Sequence, residues 1–172
     1  MRFVTDINMK ADINQLELGN VIGSPSTLPG CVQLARVKNR NKKIVVVKKY
    51  NLSELSDDID ATDYIQHEVS SMKQFGHPNI CQCLTSLVSC DQVWVVTPLA
   101  EYGSVADILK LDTFCSGLPE LVMCLIVRDM CQALEYLHNQ GVVHRAVRAS
   151  HVLLSHSGAT LSGFRYSTGL QV

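Results

Sequence analysis

His144-Arg145-Ala146-Val147-Arg148-Ala149-Ser150-His151 decides the reading of this chain, because two different kinds of pattern meet at it. Upstream, Met123, Val127, Met130, Leu134 and Leu137 follow one another at steps of four, three, four and three residues. That spacing lays one apolar stripe along a helix face, and Asn139-Gln140-Gly141 stops the helix. Downstream, the short apolar runs Val152 to Leu154 and Thr160 to Leu161 predict a closing hairpin around Ser155 to Ala159. The octapeptide between them carries imidazole and guanidinium groups but no carboxylate. Ala146 has nothing with which to accept a proton.

Moving outward, Ser104 to Leu111 predicts a short helix. Ile80 to Val88 and Val93 to Thr97 read as two strands about a Ser89-Cys90-Asp91-Gln92 turn. Tyr64, Ile65, Val69, Met72 and Phe75 recur at roughly helical spacing, so Leu55 to Phe75 reads as a helix ended by Gly76 and Pro78. Three antiparallel strands precede it, Gln15 to Gly23, Cys31 to Val37 and Ile44 to Lys49. They are separated by the turn-rich break Ser24-Pro25-Ser26-Thr27-Leu28-Pro29-Gly30 and by the polar connection Lys38-Asn39-Arg40-Asn41-Lys42. No internal repeat, low-complexity tract or flexible linker interrupts this order. The expectation is an α+β fold: a five-stranded antiparallel sheet with one helix over 15–101, the start of a helical region over 102–172, and an N-terminal extension over 1–14.

With 172 residues, 47% of them hydrophobic and 18% charged, the chain can bury a sizeable core. Its net charge of −1 and the lack of a basic stripe argue against nucleic acid as a partner. Met1 to Asn14 mixes Asp6, Lys10 and Asp12 without the apolar run of a signal peptide, and no later segment is long and apolar enough to span a bilayer. Seven cysteines, an odd number scattered through apolar segments, suit reduced cytosolic thiols better than a disulfide framework. An intracellular protein is expected, cytoplasmic with the nucleus as a second compartment. His77, Cys81, Cys83 and Cys90 invite a zinc reading, but the alternation Ile80-Cys81-Gln82-Cys83-Leu84 favours a strand with Cys83 on its inner face. No metal site is expected.

The octapeptide has the spacing of a protein-kinase catalytic loop, H-R-D-x-x-x-x-N, and further motifs agree with it in order from about Leu16 to Arg165. Val45-Val46-Val47-Lys48 resembles the V-A-I-K strand, Glu68 sits where the helix glutamate pairs with that lysine, and His77-Pro78-Asn79-Ile80 resembles a strand-entry motif common in kinases. Thr97 falls at the gatekeeper position and Pro98 to Ala100 at the hinge. Met72, Cys83, His144 and Phe164 match the apolar column called the regulatory spine, a reading that coincides with plain core packing.

Three positions depart from the kinase pattern. Ala146 stands for the catalytic Asp, His151 for the metal-holding Asn, and Gly163, in Leu161-Ser162-Gly163-Phe164-Arg165, for the D-F-G Asp. Losing a general base costs about 10²–10⁴ in rate, and losing the metal's charge stabilisation costs roughly another 10³. The resemblance with these departures implies a pseudokinase with no catalytic residues.

The arginine-alanine-serine-histidine run, the Leu161 to Arg165 segment, Tyr102-Gly103-Ser104 after the hinge and a long glycine-loop segment are similar to the sterile-twenty-related kinase adaptor (STRAD) pseudokinase family. That resemblance implies a catalytically inactive adaptor that binds and allosterically activates a serine/threonine kinase of the liver kinase B1 type, together with an armadillo-like scaffold of the mouse-protein-25 family. It implies a nucleotide pocket at Gly23, Val32, Val46, Lys48, Glu68, Thr97, Pro98, Ala100 and Leu153. Pro25 removes a phosphate-cradling amide and Val46 adds bulk to the adenine slot. ATP is expected without magnesium, with Lys48 and Arg165 supplying charge near its phosphates; a solvated surface Arg165 is the equally weighted alternative. The kinase pattern would run on past Val172 through helices that cover the Met123 to Leu137 helix, so a face of it is expected to be bare. The scaffold-binding tail of the family is not in this sequence. A weak or unorthodox ATP-dependent serine/threonine protein kinase and an inert truncated fragment remain the alternatives.

Overall fold

The computed structural model describes residues 13–25, 28–38, 43–55 and 59–169. Residues 1–12 of the expected N-terminal extension, Ser26-Thr27 of the turn-rich break, the connection at 39–42 and the helix start at 56–58 lie outside them. Two compact units result: residues up to Val69 with Gln82–Leu99, and Ser70–Cys81 with the residues from Ala100 onward.

The first unit is built on the period-two pattern of its strands. β1 (Leu16–Gly23), β2 (Gly30–Val37), β3 (Ile44–Asn51), β4 (Thr85–Ser89) and β5 (Gln92–Pro98) form one antiparallel sheet in the order β1-β2-β3-β5-β4. Successive side chains of a strand point to opposite faces, so β3 divides its residues. Val45 and Val47 go to one face and pack with Leu16, Ala35, Val37, Trp94 and Val96. Tyr50 goes to the other, where it meets Val95 and the helix residues Ala61 and Ile65. The expected five-stranded antiparallel sheet is present.

That helix, α1 (Ile59–Gln74), starts later than the expected Leu55, because Leu52–Leu55 forms a 3-10 turn. Ala61, Ile65, Glu68, Met72 and Phe75 are buried along one stripe. Its C-terminal end belongs to the second unit, where the Gly76 amide donates to the Tyr136 hydroxyl at 3.3 Å.

The expected strand from Ile80 is a correction. Asn79, Ile80 and Cys81 are buried in succession, which no alternating strand can do. Ile80 makes an isolated parallel bridge to Leu161. The Cys81 amide donates to the Leu161 carbonyl at 2.9 Å, and the Leu161 amide donates to the Asn79 carbonyl at 2.8 Å. These bonds hold 70–81 in the second unit, so the chain changes unit there rather than only near residue 101. The strand begins at Thr85. Cys83 precedes it, half-buried against the Tyr50 cluster, with its thiol 3.3 Å from the Thr85 carbonyl.

In the second unit, β6 (Gly103–Ser104) leads into the one-turn α2 (Val105–Ile108), shorter than the expected Ser104 to Leu111. Ser104 and Asp107 close a capping box at its start, each side chain meeting the other's backbone amide. α3 (Glu120–Asn139) is the longest helix, with Glu120 in its first turn and His138 in its last, both matching the helix dipole. Gly141 follows at φ +70, its amide donating to the His138 carbonyl at 2.9 Å.

The apolar stripe of α3 is buried only in its C-terminal part. Met130 and Leu137 are buried and Leu134 half-buried, whereas Met123 and Val127 are exposed. After β7 (Val142–Val143), β8 (Val152–Ser155) and β9 (Gly158–Leu161) form the expected hairpin, with β6 alongside β8, and β10 (Thr168–Gly169) pairs with β7. Among the described residues no helix is long and apolar enough to cross a membrane.

Candidate functional site

The first unit gathers several predicted residues on one face of its sheet. Val32 pairs with Lys48 across β2 and β3, while Val46 pairs with Leu34 on one side and Thr97 on the other. Lys48 and Val46 stand two residues apart on β3 and so share a face. Lys48 Nζ lies 3.4 Å from Glu68 Oε1 on α1. The Tyr50 hydroxyl, two residues further along the same face, donates to Glu68 Oε2 at 3.2 Å. Glu68, only 8% exposed, is thus held at both oxygens. A buried carboxylate needs such partners. Tyr50 was missed in the sequence, although its i+2 spacing from Lys48 was a usable signal.

The strand ends carry the remaining predicted residues of this unit. Gly23 pairs with Val32, and a side chain added there meets open space. Pro98 closes β5 opposite Val45.

The second unit holds Ala100, Leu153, Arg165 and the three departures from the kinase pattern. The Ala100 carbonyl accepts from the Gly103 amide at 3.0 Å. Leu153 sits on β8 between Ser104 and Thr160. Arg165 lies in the 3-10 turn Phe164–Tyr166, its guanidinium carbon 5.3 Å from the centre of the Tyr166 ring.

Two histidines organise the octapeptide. The Ala146 amide donates to His144 Nδ1 at 3.3 Å, which leaves the ring proton on Nε2 to donate to the Ser162 carbonyl at 3.1 Å. His144 is 1% exposed. Burial pushes its pKa down to about 4, the nearby His151 adds to that shift, and the bond to Ser162 opposes it. His144 is therefore neutral near pH 7. It meets Phe164 edge-on with centroids 4.8 Å apart, and Phe164 meets Phe75 at 5.8 Å. Of the predicted column, Met72, His144 and Phe164 are buried in this unit, and Cys83 belongs to the first.

His151 works from the other side. Its Nδ1, 2.8 Å from the Ala146 carbonyl, must donate there, so Nε2 accepts from the Arg148 guanidinium at 3.0 Å. Ala146 thus has both backbone groups engaged, one by each histidine. Between them Arg145 is held at φ +63, a left-handed conformation uncommon for a residue with a side chain.

The chemistry of this donor set does not suit magnesium. Mg²⁺ prefers near-octahedral oxygen ligands, whereas positions 146, 151 and 163 offer a methyl group, an imidazole engaged at both nitrogens and no side chain. Among the described residues no group of three His, Cys, Asp or Glu side chains stands close enough to hold a metal ion.

Comparison with known proteins agrees with this arrangement of elements. The family described as protein kinase domain matches residues 17–167. The chain is 37% identical over 150 residues to STE20-related kinase adapter protein alpha of Homo sapiens, covering 87% of this chain. It is 35% identical over 159 residues to the protein of that name in Gallus gallus, covering 92%. The chain belongs to the protein kinase domain family. Within the wider kinase family it is 32% identical over 144 residues, 76% of its length, to Germinal center kinase 3 of Caenorhabditis elegans. It spans only 34%, 40% and 24% of the lengths of these three relatives.

Proposed function

We propose that the chain is a catalytically silent protein-kinase-like adaptor that binds a serine/threonine kinase of the liver kinase B1 type and activates it allosterically, in an assembly with an armadillo-like scaffold of the mouse-protein-25 family. The observation that carries this reading is Ala146. It has no proton acceptor, and its amide and carbonyl are both spent on His144 and His151. Kinship to proteins named adapters supports the partner role.

The same reading has ATP bound without magnesium. Gly23, Val32, Val46, Lys48, Glu68, Thr97 and Pro98 of the first unit would hold it. Lys48, steadied by Glu68, would supply positive charge in place of the metal. Bound nucleotide stabilises the native chain by mass action, and that gives it a role as a shape-setting ligand rather than a substrate.

The test is a thermal melt in EDTA with and without ATP, followed by assays of the partner kinase and of the chain's own phosphotransfer. The expected result is an upward shift with ATP, activation of the partner kinase and no phosphate transfer by the chain, including by Ala146→Asp. Metal-dependent transfer would replace this reading with that of a weak kinase, which the Lys48–Glu68 pair and kinship to Germinal center kinase 3 favour. A broad melt without partner activation would replace it with that of an inert fragment.

A further inference from the structure

Gly163 and His151 hold each other's place. Gly163 sits at φ +81, and a Cβ added there falls 2.6 Å from His151 Nδ1 and 2.7 Å from both Cδ2 and Cε1. Near-equal distances to atoms on opposite sides of the ring put that carbon over the ring face, far inside van der Waals contact.

The ring is not free to swing aside. Its two nitrogens are pinned by the Ala146 carbonyl at 2.8 Å and the Arg148 guanidinium at 3.0 Å, and His151 is only 8% exposed. The backbone is pinned as well. The Ser162 amide and hydroxyl both donate to the His151 carbonyl, at 2.8 and 3.0 Å, which fixes Gly163 against the histidine. One imidazole therefore fills the space of two side chains.

We propose that His151 and Gly163 are an interlocked pair that closes the divalent-metal position with the chain's own imidazole, backed by the Arg148 guanidinium, so that position 163 cannot regain a carboxylate while His151 remains. The interlock rests on geometry alone. Only its meaning for metal rests on the proposed reading of this segment as a metal-free counterpart of a kinase metal site. A fixed guanidinium beside the imidazole disfavours a second cation there, and the engaged ring nitrogens leave it no ligand.

The experiment is thermal unfolding of the full chain carrying Gly163→Ala, Gly141→Ala, His151→Ala or His151→Ala with Gly163→Ala. Gly141 is the internal control. At φ +70 it shares the left-handed backbone, but a Cβ there meets nothing within 4 Å. Gly163→Ala is expected to lower Tm by several degrees more than Gly141→Ala, or to abolish the cooperative melt. In the His151→Ala background the same change is expected to cost no more than Gly141→Ala does. Equal losses for Gly163→Ala and Gly141→Ala would overturn the interlock, and that comparison decides the matter if the His151 variants do not fold.

The metal half is read from the same melts with MgCl₂ alone. The unaltered chain is expected to show no shift, and an upward shift would overturn closure of the site. Failure of ATP to bind in EDTA would instead count against the proposed function, leaving the Ala comparison untouched.

Discussion

His144 shows how one buried side chain makes stability depend on pH. Its pKa falls from the ordinary 6.5 to about 4 because burial penalises the imidazolium. Below pH 6.5 the unfolded chain takes up a proton that the folded chain refuses. Stability from this group is therefore fully present above about pH 6.5 and drains away as pH falls toward 4. Between pH 7 and 5.5 the loss is about 1 kcal/mol. Chemical denaturation at the two pH values is expected to show it, and His144→Gln is expected to flatten the difference. His77, lowered by its own burial, adds in the same direction, so His77→Gln serves as a parallel control. An unchanged pH slope in His144→Gln would mean that the histidine is not the group titrating. At this scale the resemblance to the kinase pattern singled out Lys48, Glu68 and positions 146, 151 and 163, and Lys48 does stand beside Glu68. Tyr50 and Arg148 were not singled out, because their contribution is a hydrogen bond to a buried neighbour rather than a motif letter.

Between elements, one carboxylate ties the β8–β9 hairpin to α3. Asp129 is 4% exposed; its Oδ2 accepts from the Ala159 amide at 2.9 Å, and its Oδ1 takes the Arg128 guanidinium at 2.8 Å. Gly158, at φ +122, is excluded from bearing a side chain by the same carboxylate, since a Cβ there falls 2.7 Å from Oδ2. Asp129→Ala strands a buried amide, which costs about 1–3 kcal/mol. Hydrogen exchange is expected to speed up first in 158–161, ahead of the first unit, and uniform acceleration would contradict an anchoring role. The strands β2 and β3 and the hairpin β8–β9 were readable because alternation or a bounded apolar run reports their burial directly. Residues 80–84 misled for a physical reason. Asn79, Ile80 and Cys81 meet Leu161 of β9, far along the chain, and all three are buried, so the period of two disappears there. Asp129, beside Met130 of the apolar stripe, is a buried acceptor for a backbone amide, a role that no motif letter or spacing announces.

Across the whole molecule, apolar exposure and charge act together on solubility. Leu121 and Val127 of α3 are 73% and 58% exposed, and Met123 and Leu125 lie between them with 45% each. A stretch this apolar normally marks a surface prone to association. The chain's net charge of −1 supplies little mutual repulsion to oppose it. Self-association is therefore expected to rise with concentration. Leu121→Glu with Val127→Lys should suppress it while leaving net charge unchanged, because one negative and one positive group are added. Both are good helix formers, and a glutamate in the first turn also suits the helix dipole. Neither site is buried, so folding stability should stay within about 0.5 kcal/mol of the parent. Light scattering across a concentration series, read beside the Tm of each chain, checks the prediction. Scattering that persists at unchanged Tm would show that association runs through a different surface, such as the exposed Val21 and Ile22 of β1.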